Sequence, residues 1–528
     1  MKMMKMANRM CVAAVAVGLS SAALAARAAE KKYIAFGWEM GGMPPDVLLK
    51  HADAFDKTPL DGIGLYVTAP KPYDWRMGYN HVFDGPVWEK EAFADYIPKF
   101  RAAFRHRSLR HSFLRALSAP RTHTAWNDDA TWGKVAQSMA VAGWLAKESG
   151  FVGICLDLED YYATRQFFWR EADGAYAETM RLARQRGREL LKPIFEAFPD
   201  VKLISFWMFS NLPNGYAQAA NPVAAMADRG DLWPAFLNGV LDVMPPTATF
   251  IDGDENAYDY EAARGAFWQA SVEQRDTLIS LVASENRAKY RAQLSVSFGQ
   301  YLEMYTNPVG HHHSFGPLAG SRLRHFVQNL DQATFAASEY VWFWGEANCW
   351  IPWGPERELP EPTSRVTYEE RLPGLMRLLQ CLKCRTRLPD GLTENLATGS
   401  NLGGWNDGKV KGTLVREGAE WIGRGVENGG FTVRLAKVQP GDVYGIRFRV
   451  RGKGWAPGVS WKHEDKWIRP SVDLGTRPEK DSDGRFCEEI VVIPPNVDTF
   501  VLALGFSRQA AEDEARYGDV AVYRIGVD

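Results

Sequence analysis

Eight apolar runs, following one another at helix-sized intervals, constrain this chain more than any other feature. They are Tyr33–Glu39, Ile63–Val67, Ser112–Leu117, Val152–Glu159, Leu203–Phe209, Ala248–Glu255, Leu294–Tyr301 and Tyr340–Glu346. Continuous apolar runs, rather than alternating ones, read as strands covered on both faces, as in parallel sheets. Helix-like segments lie between them, among them Thr131–Lys147, Tyr176–Phe198 and Val272–Tyr290. Eight such alternations predict a (β/α)8 TIM barrel with insertions. An open doubly wound sheet is the competitor, but no Gly-rich phosphate loop follows any early strand.

Barrels carry their chemistry at the carboxyl ends of the strands. Those ends hold Trp38 and Glu39; Tyr66; Asp157 and Glu159; Trp207 and Ser210; Asp252, Asp254 and Glu255; and Trp342, Trp344 and Glu346. In Phe151-Val-Gly-Ile-Cys-Leu-Asp-Leu-Glu159 the two acids stand two apart, so strand alternation sends both side chains to one face. Crowded acids push one another's pKa upward, which brings proton transfer within reach of neutral pH. Helix capping and structural salt bridges are the plainer reading of the same residues. Acids interleaved with Trp and Tyr suit a carbohydrate cleft, the acids serving the glycosidic bond and the aromatics the ring faces. Asp157, Glu159, Asp252 and Glu255 are the catalytic candidates. Glu39, Tyr66, Trp207, Asp254, Trp342, Trp344, Glu346 and Trp350 are the substrate-binding candidates. Glu159 is expected as acid/base, tuned by Asp157, with the second carboxyl supplied by the sixth strand and Glu346 in reserve. A gap between the two carboxyls of about 5–5.5 Å would mean retention, and one of about 6.5–9.5 Å inversion.

Val152-Gly-Ile-Cys-Leu-Asp-Leu-Glu159 resembles the fourth-strand signature of the chitinase and endo-N-acetylglucosaminidase family, where an Asp stands two before the catalytic Glu. Val152 and Cys155 replace that signature's earlier acids, leaving only the final Asp-x-Glu. Trp126–Trp132, Gly153–Tyr161, Phe250–Tyr258 and Val341–Glu346 resemble a group of uncharacterised exported TIM-barrel proteins of environmental bacteria that are glycoside-hydrolase-like. Acids on strands four and six are also similar in position to those of α-galactosidase-like barrels. That resemblance implies Asp157 as nucleophile and Asp252 or Asp254 as acid.

Other motifs have plainer readings. Asp252-Gly-Asp-Glu255 offers oxygen ligands but lacks the spacing of a calcium loop, so no metal is expected, and no cofactor. His311-His312-His313 reads as a solvated loop. Arg101–Arg115, with five Arg and two His, reads as an exposed helix face. Trp350 and Trp353 are expected in a loop over the barrel mouth. Cys381 and Cys384 form a lone CxxC, read as packing thiols or one local disulfide.

The first 29 residues look like a secretory signal. Lys2, Lys5 and Arg9 precede a short apolar core, Cys11–Leu24, and small residues follow from Ala25 to Ala29. The core is too short for a membrane span, so the protein is expected to be secreted or periplasmic, with no membrane association. A formal net charge of −2 over 528 residues gives no support to nucleic-acid binding. The barrel is expected over 30–388. From 389 to 528, Gly-punctuated runs with alternation, clearest in Tyr444-Gly-Ile-Arg-Phe-Arg-Val450, predict a β-sandwich of jelly-roll type resembling carbohydrate-binding modules. Trp455, Trp461 and Trp467 are its candidate sugar platform. The expected function is a secreted glycoside hydrolase acting on a poly- or oligosaccharide. The alternatives are a non-catalytic glycan-binding protein on a barrel scaffold and a polysaccharide lyase. Sequence does not set the oligomeric state.

Overall fold

The computed structural model describes residues 30–67, 81–118, 120–159, 163–406, 411–478 and 484–527. The leader expected over 1–29, and the Asp160-Tyr161 end of the fourth-strand motif, lie outside them. The chain forms two compact units. One comprises residues 31–314 and 332–373, the other 315–331 and 374–527.

The first unit contains nine parallel strands: β1 (Lys32–Gly37), β2 (Gly62–Leu65), β3 (Phe113–Ser118), β4 (Gly153–Asp157), β5 (Lys202–Ser205), β6 (Thr249–Asp252), β7 (Leu294–Val296), β8 (Phe298–Tyr301) and β9 (Tyr340–Gly345). Their order is β7-β6-β5-β4-β3-β2-β1-β9-β8. The two ends of this row, β7 and β8, are one chain segment broken only at Ser297. That residue spans the break: its amide donates to Asp252 O (3.0 Å) on β6 and its hydroxyl to Tyr340 O (2.9 Å) on β9. The row is therefore an eight-stranded barrel whose seventh strand is split, and all eight expected strands are present.

Side chains of alternating parity fill the lumen. Phe206, just past β5, stacks on Trp342 of β9 at 4.2 Å between centroids, and Phe36 of β1 meets both rings edge-on. Glycines make room for these rings. A Cβ at Gly64 would stand 1.8 Å from the Phe36 ring, and one at Gly299 within 2.7 Å of both Trp342 and Tyr258.

The helix α1 (Asp129–Ser149) starts where Asp128 accepts the Thr131 amide (3.1 Å) and stops at Gly150, whose φ of 86° few other residues adopt. The next, α2 (Tyr176–Ala197), also matches expectation. The expected Val272–Tyr290 helix does not form as one piece. A helix α3 (Ala266–Val272) runs into a π-helical turn (Glu273–Thr277) and 3-10 turns, and α4 (Arg287–Gln293) follows. The widened turn buries Gln274 towards Asp254, an interaction a regular helix pattern does not encode. Among the described residues no helix is long and apolar enough to cross a membrane.

The second unit holds two antiparallel sheets. One comprises β10 (Leu402–Asn406), β13 (Asn428–Ala436), β15 (Trp455–His463), β16 (Lys466–Asp473) and β19 (Thr499–Ser507); the other β11 (Thr413–Glu417), β12 (Glu420–Arg424), β14 (Val443–Gly452), β17 (Arg477–Pro478), β18 (Arg485–Val492) and β20 (Glu514–Gly526). Ile446, Phe448 and Val450 are buried in the core between the sheets, while Arg447 and Arg449 between them turn outward. Within this unit Arg324 donates to Asp442 (3.0 Å) and to Val527 O (3.1 Å), which ties 315–331 to the sandwich. Trp461 is buried against Phe500, so the three candidate Trp do not share one exposed face. Trp467 is 60% exposed, with Lys462 Nζ 4.5 Å from its ring centre. The five described cysteines, 155, 349, 381, 384 and 487, are all free thiols.

Candidate active site

Strand parity sorts the candidate residues into two groups. Asp157 ends β4, and Glu159 stands two residues past the strand, half-buried. Asp157 is buried; its Oδ2 accepts from Arg115 Nη2 on β3 (2.5 Å) and from the Tyr66 hydroxyl beyond β2 (3.3 Å). The Arg115 guanidinium lies over the Tyr66 ring at 3.9 Å and over Trp344 at 5.1 Å. Arg115 is thus a buried residue of β3 rather than part of an exposed basic helix. A charged residue inside an apolar strand run was the signal for it.

Beyond β6, Glu255 is half-buried and turns inward. It accepts from the Trp207 indole, and the charges of Glu159 and Asp157 both act on it. Burial first, then Glu159, pushes its pKa up to about 8, with the Trp207 bond pulling the other way. Glu255 and Glu159 therefore reach the mouth from strands separated by β5 alone. The fourth carboxylate is Glu346, which accepts from Trp344 Nε1 (2.9 Å) and the Tyr301 hydroxyl (3.0 Å). Trp342 lies beneath, fully buried, its indole bonded to Gly253 O (2.7 Å) as part of the barrel filling.

The second group faces away from these acids. Asp252 is fully buried and accepts the amide (2.9 Å) and hydroxyl of Ser210, which anchors the loop after β5; burial lifts its pKa to about 6. Asp254 accepts from the Tyr260 hydroxyl (3.2 Å) and Gln274 Nε2 (2.9 Å), and burial plus the charge of Asp252 holds its pKa well above the usual carboxylate range. Glu39 accepts the Trp350 amide (2.8 Å) and the Trp353 indole (2.7 Å), fastening the loop after β9. Burial raises its pKa to about 7. Trp350 is itself buried against Phe343 and Tyr368, so that loop folds its aromatic rings inward.

Sequence reasoning passed over Arg115, Phe206, Tyr258, Tyr301 and Glu303. Tyr301 ends the seventh apolar run, and Tyr258 lies three residues past Glu255, so position alone pointed to both. Buried Glu303 has no such signal: its Oε1 accepts the Glu346 and Ala347 amides (3.2 and 3.0 Å) and the Tyr368 hydroxyl (2.9 Å). His311–His313 are exposed, with His313 set edge-on to Tyr301 at 5.6 Å.

No protein-family model matches the chain, and no curated protein matches it. Among solved structures it is similar to a GH5 subfamily 18 enzyme from Streptomyces cattleya in complex with Manβ1-4GlcNAc, at 11% identity over 66% of this chain and 79% of that one, TM-score 0.38. It is similar to an endo-β1,6-glucanase at 9% identity over 91% and 93%, TM-score 0.37. It is similar also to a GH18 chitinase from Pseudoalteromonas aurantia at 11% identity over 60% and 93%, TM-score 0.31. Two further similarities, to a bacteriophage tailspike domain and to a Clostridium thermocellum xylanase, span only 20% and 27% of those chains.

Proposed function

We propose that this chain is an exported glycoside hydrolase that cleaves a poly- or oligosaccharide with a pair of carboxyl groups at the barrel mouth. What supports this reading is Glu255, which accepts from the Trp207 indole, is acted on by the charges of Glu159 and Asp157, and has its pKa pushed up to about 8 by burial first. Glycosidic cleavage needs one carboxyl that gives a proton to the leaving oxygen and another that attacks or activates water. Two acids in unlike surroundings divide those roles. Glu255 is the proton donor, aimed by Trp207. Glu159 is the attacking or water-activating carboxylate. Asp157, paired to Arg115, holds the fourth-strand end in place and keeps negative charge beside the developing cation at the sugar. Tyr66, Trp207, Trp344 and Glu346 supply ring faces and hydroxyl contacts. Asp252, Asp254, Glu39 and Trp350 act by shaping the loops.

The signal-like leader supports export, and the sandwich, with exposed Trp467, is a candidate glycan-binding module. The test is a screen of aryl glycosides and of algal, plant and mucin glycans with the wild type and with Glu255→Gln and Glu159→Gln. Turnover of an unactivated glycan by the wild type, reduced about 10²–10⁴-fold in each variant, supports the assignment. Glycan binding without turnover of any substrate would instead favour a non-catalytic glycan-binding barrel. Unsaturated products absorbing in the ultraviolet would mean a lyase. Fractionation and N-terminal sequencing of the native protein test export.

A further inference from the structure

Behind the barrel mouth, between the loops that follow β5 and β6, lies a cavity of about 340 Å³. Its walls include Ser210, Asn211, Asn256, Asp254, Glu273 and Gln274, with apolar and aromatic side chains completing them. Its polar atoms come from carboxyl, amide and hydroxyl groups; no Lys, Arg, His or Cys lines it. Asp252, behind Asp254, and Glu273 act on Asp254 with like charge.

An independent observation comes from Gln274. Its amide nitrogen donates to Asp254 Oδ2 (2.9 Å), which fixes the orientation of the amide. The carbonyl Oε1 is then left buried without a hydrogen-bond partner, in a side chain that is 1% exposed and lines the cavity. A buried acceptor left unmade is costly, and this one belongs to a residue that walls the cavity together with Asp254 and Glu273.

We propose that this cavity binds a divalent cation, calcium in the first place, through the carboxylates of Asp254 and Glu273 and the carbonyl of Gln274. An all-oxygen donor set selects hard cations over zinc or copper. Water and the Ser210, Asn211 and Asn256 groups complete the shell. The ion would join the β5 and β6 loops and fix the base from which Glu255 extends. The sequence motif Asp252-Gly-Asp-Glu255 is thereby divided: one acid faces the ion, one the mouth, and one stays on Ser210. This inference does not depend on the hydrolase assignment.

The test uses the full chain, stripped with EDTA and dialysed, with CaCl2, MgCl2 or MnCl2 added against NaCl of matched ionic strength. Calorimetric titration should give a calcium Kd on the order of 0.1–1 mM, and the Tm should rise by about 2 °C or more at saturation. Asp254→Asn and Gln274→Met should abolish both responses. Glu273→Gln, at the cavity wall, should weaken calcium about tenfold and covers the case in which the buried variants fail to fold. Asp56→Ala, in the separate group Asp53, Asp56 and His106, should leave the response intact. No calcium response beyond the NaCl control would overturn the proposal. A response that survives Asp254→Asn and Glu273→Gln, one lost in Asp56→Ala, or heat from a monosaccharide but not from calcium would do the same.

Discussion

Arg115 and Asp157 form a buried ion pair inside the barrel, Nη2 to Oδ2 at 2.5 Å, with side chains only 2% and 4% exposed. Taking two charges out of water is expensive, and removing one partner strands the other. Asp157→Asn should therefore lower unfolding stability by about 3–5 kcal/mol, read by urea titration. The double variant Arg115→Met/Asp157→Leu should recover much of that loss while staying inactive. Equal stability of the single and double variants would show that the pair is not the anchor of the β4 end.

Proton donation by Glu255 has a pH signature. The donor works only while protonated, so kcat/KM on an unactivated glycoside should fall as pH rises through about 8. Trp207→Phe removes a hydrogen bond that lowers that pKa, so the alkaline limb should move upward even as kcat drops. Aryl glycosides with good leaving groups need little protonation and should lose far less activity in Glu255→Gln. An alkaline limb that persists unchanged in Glu255→Gln would take the role away from it.

Much of this arrangement was legible in the chain. All eight barrel strands were, because a strand buried on both faces must be apolar throughout. Alternation also predicted one face for Asp157 and Glu159; Asp157 ends β4, while Glu159 stands two residues past it. Applied to Asp252, Asp254 and Glu255, that alternation also separates the first two from the third, and it puts Glu39 out of step with Phe36. Those candidates faced loops, not the cleft, because acids fastening loop amides leave the same composition at a strand end as acids lining a mouth. The pairing of Arg115 with Asp157 was not legible, since nothing local marks which charge a buried arginine meets. Strands β10, β11, β12, β16 and β17 were not legible because β10, β11, β12 and β17 are five residues or fewer and β16 carries charged residues at Lys466, Arg469 and Asp473. The broken helix after Val272 was hidden because its apolar residues keep a helical spacing that its interaction with Asp254 overrides.

Glu39 predicts how stability varies with pH. Its folded pKa, about 7, stands above its ordinary value of 4.5 because burial penalises the charged form. The folded state then holds more protons than the unfolded one between these values, so stability falls as pH rises. The contribution is fully present below about pH 4.5 and lost as pH passes through about 7, on the order of 3 kcal/mol. Glu39→Gln cannot titrate. Its melting curves between pH 5 and 7.5 should show a shallower decline than those of the wild type; parallel declines would place the effect elsewhere, with Asp252 next to be examined.

The lumen allows a sharper test of packing. A methyl group at Gly64 would stand 1.8 Å from a carbon of the Phe36 ring, which is itself held edge-on against the stacked Phe206 and Trp342 rings. No small rotation frees that ring, so Gly64→Ala should cost about 1–3 kcal/mol by overpacking. Phe36→Leu, which shortens the side chain and opens a cavity, should also destabilise the protein. In the double variant the smaller side chain relieves the clash, and the added methyl fills part of the void. The two losses should therefore fall short of adding by about 1 kcal/mol or more, a coupling measurable by urea titration of the four proteins of the cycle. Strict additivity would mean that the lumen relaxes around Gly64 by moving β2 rather than by yielding at Phe36. The Tyr66–Asp157 contact at the end of that strand would then loosen, and Gly64→Ala would lose activity along with stability.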